Sequence, residues 1–378
     1  MRLKSLIVTS GVALCLMVHI AAAGPLEDAQ TAYNNADYET ALRLLMPLAD
    51  QGIPNAQFNL GVLYANGQGV TLNNGEAVRW YLKAAEQGYS DAQYNLGVMY
   101  YNGFGVPQDY AQALKWFRKA ADQGSTGGQN YVGMMYMEGQ GVPLDQVEAV
   151  KWIRKSADQG YAIAQRNLGS SYIDGLGGLP KDSVIGAQWY RKAADQGYPL
   201  AQYFLGSLYF YGEGVPQDYV EAVKWDRLAA EQGLAEAQSD LGSKYEHGQG
   251  VSQDLNEAAV WYRKAADQNY TLARYNLGVF YQLGKGVPQD GKEAVKWYLR
   301  AADQGHLDAL FNLGVLYSNG NLIPKDILQA RMWFDLAKRA GDVEAGLRLE
   351  DLEKQMSPEQ ITLSILSANK WVDARTKR

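Results

Sequence analysis

Apolar positions fall at helical spacing twice in residues 91–124. Ala92, Leu96, Met99 and Tyr100 share one face of a first helix, helix A. Ala113, Trp116, Phe117 and Ala120 share one face of a second, helix B, running from about Tyr110 to Gln123. Between them, Gly103-Phe104-Gly105-Val106-Pro107 ends helix A, and Gly124 supplies a left-handed stop after helix B. Gly97 lies inside helix A, where glycine costs about 1 kcal/mol relative to alanine. Its retention predicts close approach of a neighbouring helix.

The same pattern recurs along the chain. Trp80, Trp116, Trp152, Trp189, Trp225, Trp261, Trp297 and Trp333 are spaced by 36 residues, except for 37 between Trp152 and Trp189. Tyr64, Tyr100, Tyr136, Tyr172, Tyr209, Tyr245, Tyr281 and Tyr317 keep the same step, each three residues after a glycine. The extra residue falls in Gly175-Leu176-Gly177-Gly178, an exposed loop where an insertion costs little. A helix pair cannot bury its apolar face alone, so such units must stack and their ends need caps. The pattern predicts an all-α fold, an α/α solenoid of about eight helix pairs over residues 55–341. An N-terminal capping pair is expected over 24–54, with Tyr33, Tyr38, Ala41 and Leu45 packing, and C-terminal capping helices and a tail over 342–378.

Helix B has a recurring start. Asn73/Glu76, Asp109/Gln112, Asp145/Glu148, Asp218/Glu221, Asp254/Glu257, Asp290/Glu293 and Asp326/Gln329 each read as a capping box. Asp182, followed by Ile185, is the exception. Ser357-Pro358-Glu359-Gln360 carries the same signal, with proline at the first helical position, before a final helix.

Residues 1–23 read as a secretory signal peptide: Arg2 and Lys4, an apolar run from Leu6 to Ile20, then Ala21-Ala22-Ala23. The run is short for a membrane span, and no later stretch could cross a bilayer, so the expectation is an exported protein, periplasmic or secreted. Cleavage removes the one cysteine, Cys15, leaving a chain that packing alone must stabilise. The net charge of −6 lacks the footprint of a nucleic-acid binder. With three histidines, one of them His19, metal sites and Ser-His-Asp catalysis are poorly supplied. No cofactor, metal or catalytic residue is expected.

The run Ala92-Gln93-Tyr94-Asn95-Leu96-Gly97 through Lys119-Ala120-Ala121-Asp122-Gln123-Gly124 resembles the SEL-one-like repeat (SLR), a relative of the tetratricopeptide repeat. The resemblance covers roughly residues 27 to 345. Departures are Gly128 for the usual alanine, Tyr131 and Val132 before Gly133, Asn269 for glycine, and Asn321-Leu322-Ile323 in the last loop. The resemblance implies an α/α solenoid with helix A lining the concave side. It also implies a non-enzymatic scaffold or regulator that works through protein contacts, often in the cell envelope. Some cysteine-rich relatives are similar to penicillin-binding or β-lactamase proteins. By that analogy alone a cell-wall or β-lactam-active enzyme is the alternative, and a secreted host-directed effector is another. The cysteine-rich relatives carry a disulfide in each repeat, which this chain lacks.

The candidate binding residues come from two helix-A positions that the wheel turns away from the Ala92–Leu96–Met99–Tyr100 face. Two residues before the leucine stand Phe58, Tyr94, Asn130, Arg166, Tyr203, Ser239, Tyr275 and Phe311. One after the tyrosine stand Ala65, Tyr101, Met137, Ile173, Phe210, Glu246, Gln282 and Ser318. The apolar members, Phe58, Tyr94, Tyr101, Met137, Ile173, Tyr203, Phe210, Tyr275 and Phe311, form a candidate protein or peptide groove, with packing on the adjacent helix A as the competing role. The Gly-x-Gly loops lack the strand and lysine of nucleotide motifs. Ser367 and Lys370 match S-x-x-K in letters only, without its partner motifs. His247 and His306 read as solvated surface residues.

Overall fold

The computed structural model describes residues 24–376. Among them are twenty helices and no strand. The chain divides into two compact units, residues 24–135 with 139–143, and 136–138 with 144–376.

The first unit opens with α1 (Pro25–Asn34) and α2 (Tyr38–Asp50), followed by the pairs α3 (Pro54–Asn66) and α4 (Asn74–Glu86), and α5 (Ser90–Asn102) and α6 (Tyr110–Asp122). Most of α7 (Thr126–Glu138) also belongs to it. The second unit holds α8 (Gln146–Asp158), then the pairs α9 (Ala162–Asp174) and α10 (Ser183–Asp195), α11 (Pro199–Tyr211) and α12 (Tyr219–Glu231), and α13 (Ala235–His247) and α14 (Leu255–Asp267). It continues with α15 (Thr271–Leu283) and α16 (Gly291–Ala302), and α17 (Leu307–Asn319) and α18 (Ile327–Arg339). It closes with α19 (Val343–Glu353) and α20 (Pro358–Thr376). Within each unit a helix packs chiefly on its neighbours in sequence, which is the solenoid arrangement the repeat predicts.

The mid-helix glycine does face a close approach, but of a ring. A Cβ on Gly97 would lie 2.6 Å from the Phe117 ring, and Gly61, Gly169, Gly242, Gly278 and Gly314 meet Tyr81, Tyr190, Tyr262, Tyr298 and Phe334 in the same way. In these six pairs the residue after the tryptophan therefore lays its ring across the backbone of the first helix in its own pair. The loop glycines work differently. In Gly103-Phe104-Gly105 the first glycine takes φ +72° to end α5, and a Cβ on the second would lie 2.4 Å from the Asn74 backbone at the start of the preceding second helix. These loops are inter-repeat contacts.

Second helices end in a Schellman turn: the Gly88 amide donates to Ala85 O and the Tyr89 amide to Ala84 O. Asn269 replaces the glycine at φ +69° and keeps both bonds, because asparagine tolerates the left-handed region. The glutamine next to the buried alanine of the first helices from α3 to α13 ties neighbours together; α15 and α17 carry Arg274 and Leu310 there. Gln93 Nε2 donates to Ala85 O at 3.1 Å, and its Oε1 accepts from Gln123 Nε2 at 2.7 Å. Gln202 does the same with Ala194 and Gln232. Each such side chain satisfies a helix-end carbonyl that would otherwise be buried without a donor. In the second unit Arg154, Arg191, Arg227 and Arg263 donate to the hydroxyls of Tyr172, Tyr209, Tyr245 and Tyr281 of the next first helix.

Only half of the expected capping box forms. The Asp109 carboxylate accepts from the Gln112 amide at 3.0 Å, and the other cap residues do likewise, Asp182 with Ile185 included. The reciprocal bond is displaced because the cap's own amide already donates to the last turn of the first helix, Asp109 N to Tyr100 O at 2.9 Å. Four of the five glutamates, Glu76, Glu148, Glu221 and Glu293, pair instead with a cation three residues on. Ser357 and Gln360 do make the reciprocal pair. Asp109→Ala is expected to cost about 1 kcal/mol, read as a lowered urea midpoint at unchanged slope.

At the C-terminal end α19 and α20 both pack on α18. Buried Arg331 reaches Glu353, and Trp371 stands edge-on to Trp333 at 5.4 Å. Helix α20 runs on through Asp373 to Thr376, with the Arg375 guanidinium over the Trp371 ring.

Candidate functional site

The nine candidate residues are all half-buried. They are neither core nor free surface. The wheel turns them from the main core face, but the rings of the second helices and the neighbouring repeats come up against them. The polar and small members of the same two series depart further from the outward expectation: Asn130, Ser239 and Ala65 are buried.

In the first unit the candidates meet an aromatic cluster. Phe58 lies 5.9 Å from Tyr81 and 5.2 Å from Tyr89. Tyr94 and Tyr101 both contact Tyr131, at 5.9 and 5.5 Å. Tyr131 in turn stacks on buried Phe117 with centroids 4.5 Å apart and planes 11° apart. Tyr110 meets Tyr101 edge-on at 5.3 Å. Tyr131 was noted above only as a departure from the repeat. It occupies the column that holds Asn59 and Asn95 in the neighbouring pairs, and an aromatic residue in an asparagine column was the available signal. Met137, half-buried near the end of α7, belongs to the second unit.

In the second unit the same face is more polar. Ile173 packs over Gly186, Tyr203 lies beside Phe204, and Arg166 stacks over Phe204 at 4.9 Å. Phe210 contacts Tyr219 at 5.1 Å and carries the Lys244 ammonium 4.7 Å from its ring centre. Glu246 accepts from the Tyr262 hydroxyl at 2.9 Å and from Lys285 Nζ at 3.1 Å. Gln282 accepts from the Tyr298 hydroxyl at 2.6 Å. Tyr275 stacks on His306 at 4.4 Å, and Phe311 lies 5.6 Å from Phe334. His306 is therefore a packed, half-buried residue whose burial lowers its proton affinity, not a solvated one. His247 is exposed, with Nδ1 2.8 Å from the Ser243 carbonyl oxygen. Burial raises the phenols of Tyr203, Tyr262 and Tyr298, keeping them neutral donors on this face.

Among the described residues no three His, Cys, Asp or Glu side chains gather as metal ligands, and no helix is long and apolar enough to cross a membrane. The signal-peptide reading falls on residues 1–23, outside the described residues.

Fixed-length helix pairs, stacked on their neighbours and flanked by pairs of different pattern, define a helix-pair repeat protein. The Sel1 repeat family model matches the chain eight times, at residues 54–89, 90–125, 127–161, 162–198, 199–234, 235–270, 271–306 and 307–342, and the chain belongs to that family. It is similar to a Sel1 repeat protein from Oxalobacter formigenes, with 34% identity over 90% of this chain and 98% of that one and a TM-score of 0.61. It is also similar to c5321, a protective antigen present in uropathogenic Escherichia coli strains and displaying an SLR fold. That match has 31% identity over 93% of this chain and 92% of the other, with a TM-score of 0.49. No curated protein matches the chain. Sel1 repeat proteins generally act as non-enzymatic protein-interaction scaffolds.

Proposed function

We propose that this chain is an exported, non-enzymatic scaffold or regulator that holds a protein or peptide on the face of its first helices, the concave side of the repeat. The observation that carries this reading is the row of half-buried aromatic residues on that face, above all Tyr94, Tyr101 and Tyr131 over Phe117 and, separately, Tyr203 and Phe210. Large rings with one side packed and one side open present apolar area at low entropic cost, which is what an interaction hot spot requires. The apolar segment before Gly24 supports export into the periplasm or beyond, where a partner from the cell envelope would meet this face.

The test is capture from a cell-envelope extract by the tagged chain and by a Tyr101→Ser/Phe210→Ser variant whose helical circular dichroism matches wild type. A partner bound by wild type and weakened at least about thirtyfold by the variant fits loss of a hot spot of ~2 kcal/mol. Equal binding by both would remove this face from the interaction.

A further inference from the structure

One joint in the second unit replaces apolar packing by buried charge. The position after each periodic tryptophan holds Tyr81, Phe117, Ile153, Tyr190, Tyr262, Tyr298 or Phe334, but in α12 it holds Asp226. The position before each periodic tyrosine holds Leu63, Met99, Met135, Ser171, Leu208, Phe280 or Leu316, but in α13 it holds Lys244. The two departures meet: Lys244 Nζ lies 2.6 Å from Asp226 Oδ2, with side chains 6% and 1% exposed. Asp226 Oδ1 lies against Gly206, in the slot that a ring fills over Gly169, Gly242 and Gly278. A second carboxylate, Asp240 on α13, sits beside the same lysine and accepts from the Tyr203 hydroxyl. One carboxylate is thus paired with the ammonium where little water reaches, and a second, half-buried, acts on the same ammonium. With all three ionised, the joint carries one uncompensated negative charge, a costly state in a low-dielectric setting.

We propose that Asp226, Lys244 and Asp240 form a proton-operated clasp between α12 and α13, tightened when the triad takes up one proton and loosened when it releases it. Tyr203 and Phe210, which touch Asp240 and Lys244, move with the clasp, so this part of the face answers to pH whether or not the partner reading above holds. The groups facing the triad are Tyr203 from α11, Glu236 on α13 before Asp240, Tyr262 from α14 and Tyr270 just after α14. Glu246 is already matched by Lys285, so it leaves the imbalance inside the triad. Burial pushes the Asp226 carboxyl up to about 7, with Lys244 opposing and Asp240 adding; burial raises Asp240 as well. A carboxyl raised on folding binds its proton more tightly in the folded chain than in the unfolded one. Its contribution to stability is therefore present in acid and is lost as pH rises towards 7.

The test is amide hydrogen exchange on the full chain at about pH 5.5 and about pH 8, corrected for intrinsic rates. Amides of α12 and α13 are expected to be protected at least about tenfold more in acid, with α15 and α16 unchanged. Asp226→Asn should abolish the difference. Should that variant fail to fold, Asp226→Tyr/Lys244→Leu restores the residue types of the other repeats and should also abolish it. No local difference in wild type, or a difference that survives in the double variant, overturns the clasp.

Discussion

Lys244→Leu is expected to be among the most destabilising single substitutions in the chain, lowering stability by about 3–5 kcal/mol, because it leaves Asp226 buried beside Asp240 with no cation. The companion result has the opposite sign. Replacing both partners, as Asp226→Tyr/Lys244→Leu, is expected to raise stability by about 1–4 kcal/mol, since well-packed apolar residues commonly match or exceed a buried ion pair. The tyrosine would enter a slot built like those of Tyr190 over Gly169 and Tyr262 over Gly242. Urea unfolding followed by tryptophan fluorescence reads both. Each repeat contacts only its neighbours, so the single variant should divide the transition in two, with the break at the α12–α13 joint. A stabilised single variant or a destabilised double variant would mean that the pair contributes more than apolar packing can replace.

The second large effect concerns the aromatic cluster of the first unit. Phe117 is fully buried, covers Gly97 and supports Tyr131 from below. Phe117→Ala is expected to cost about 3–5 kcal/mol through the cavity it leaves. Tyr101→Ser, at the half-buried rim of the same cluster, is expected to cost only about 1 kcal/mol. Denaturation midpoints separate the two. A partner lost with the mild variant identifies a binding ring, whereas comparable destabilisation by both would make Tyr101 a core residue.

The period, the helix pairs, the starts of the second helices and the glycine stops were legible in the sequence, because each is a local property. Asp109 at a helix start, Gly103 and Gly124 at helix ends and the apolar face of α6 act within a few residues of themselves. The candidate face was legible only in part. A helical wheel separates Tyr94 and Tyr101 from Leu96, but it cannot show that Phe117 and Tyr131 rise against them from other helices. For the same reason it turned Asn130 and Ser239 outward, although both are buried.

The capping boxes divide along the same line. That an acid or amide side chain holds the start of each second helix is written in the local sequence. The loss of the returning bond is a product of packing, because the Asp109 amide is already taken by Tyr100 O of the paired helix. The ion pair is the extreme case. Asp226 and Lys244 each break a column that is apolar at most other repeats, and both breaks are visible in the aligned repeats. That they compensate one another, and that Asp240 leaves the sum one charge short, follows from two side chains enclosed together with a half-buried third beside them. Distance and dielectric make that decision, and they exist only once the helices are packed.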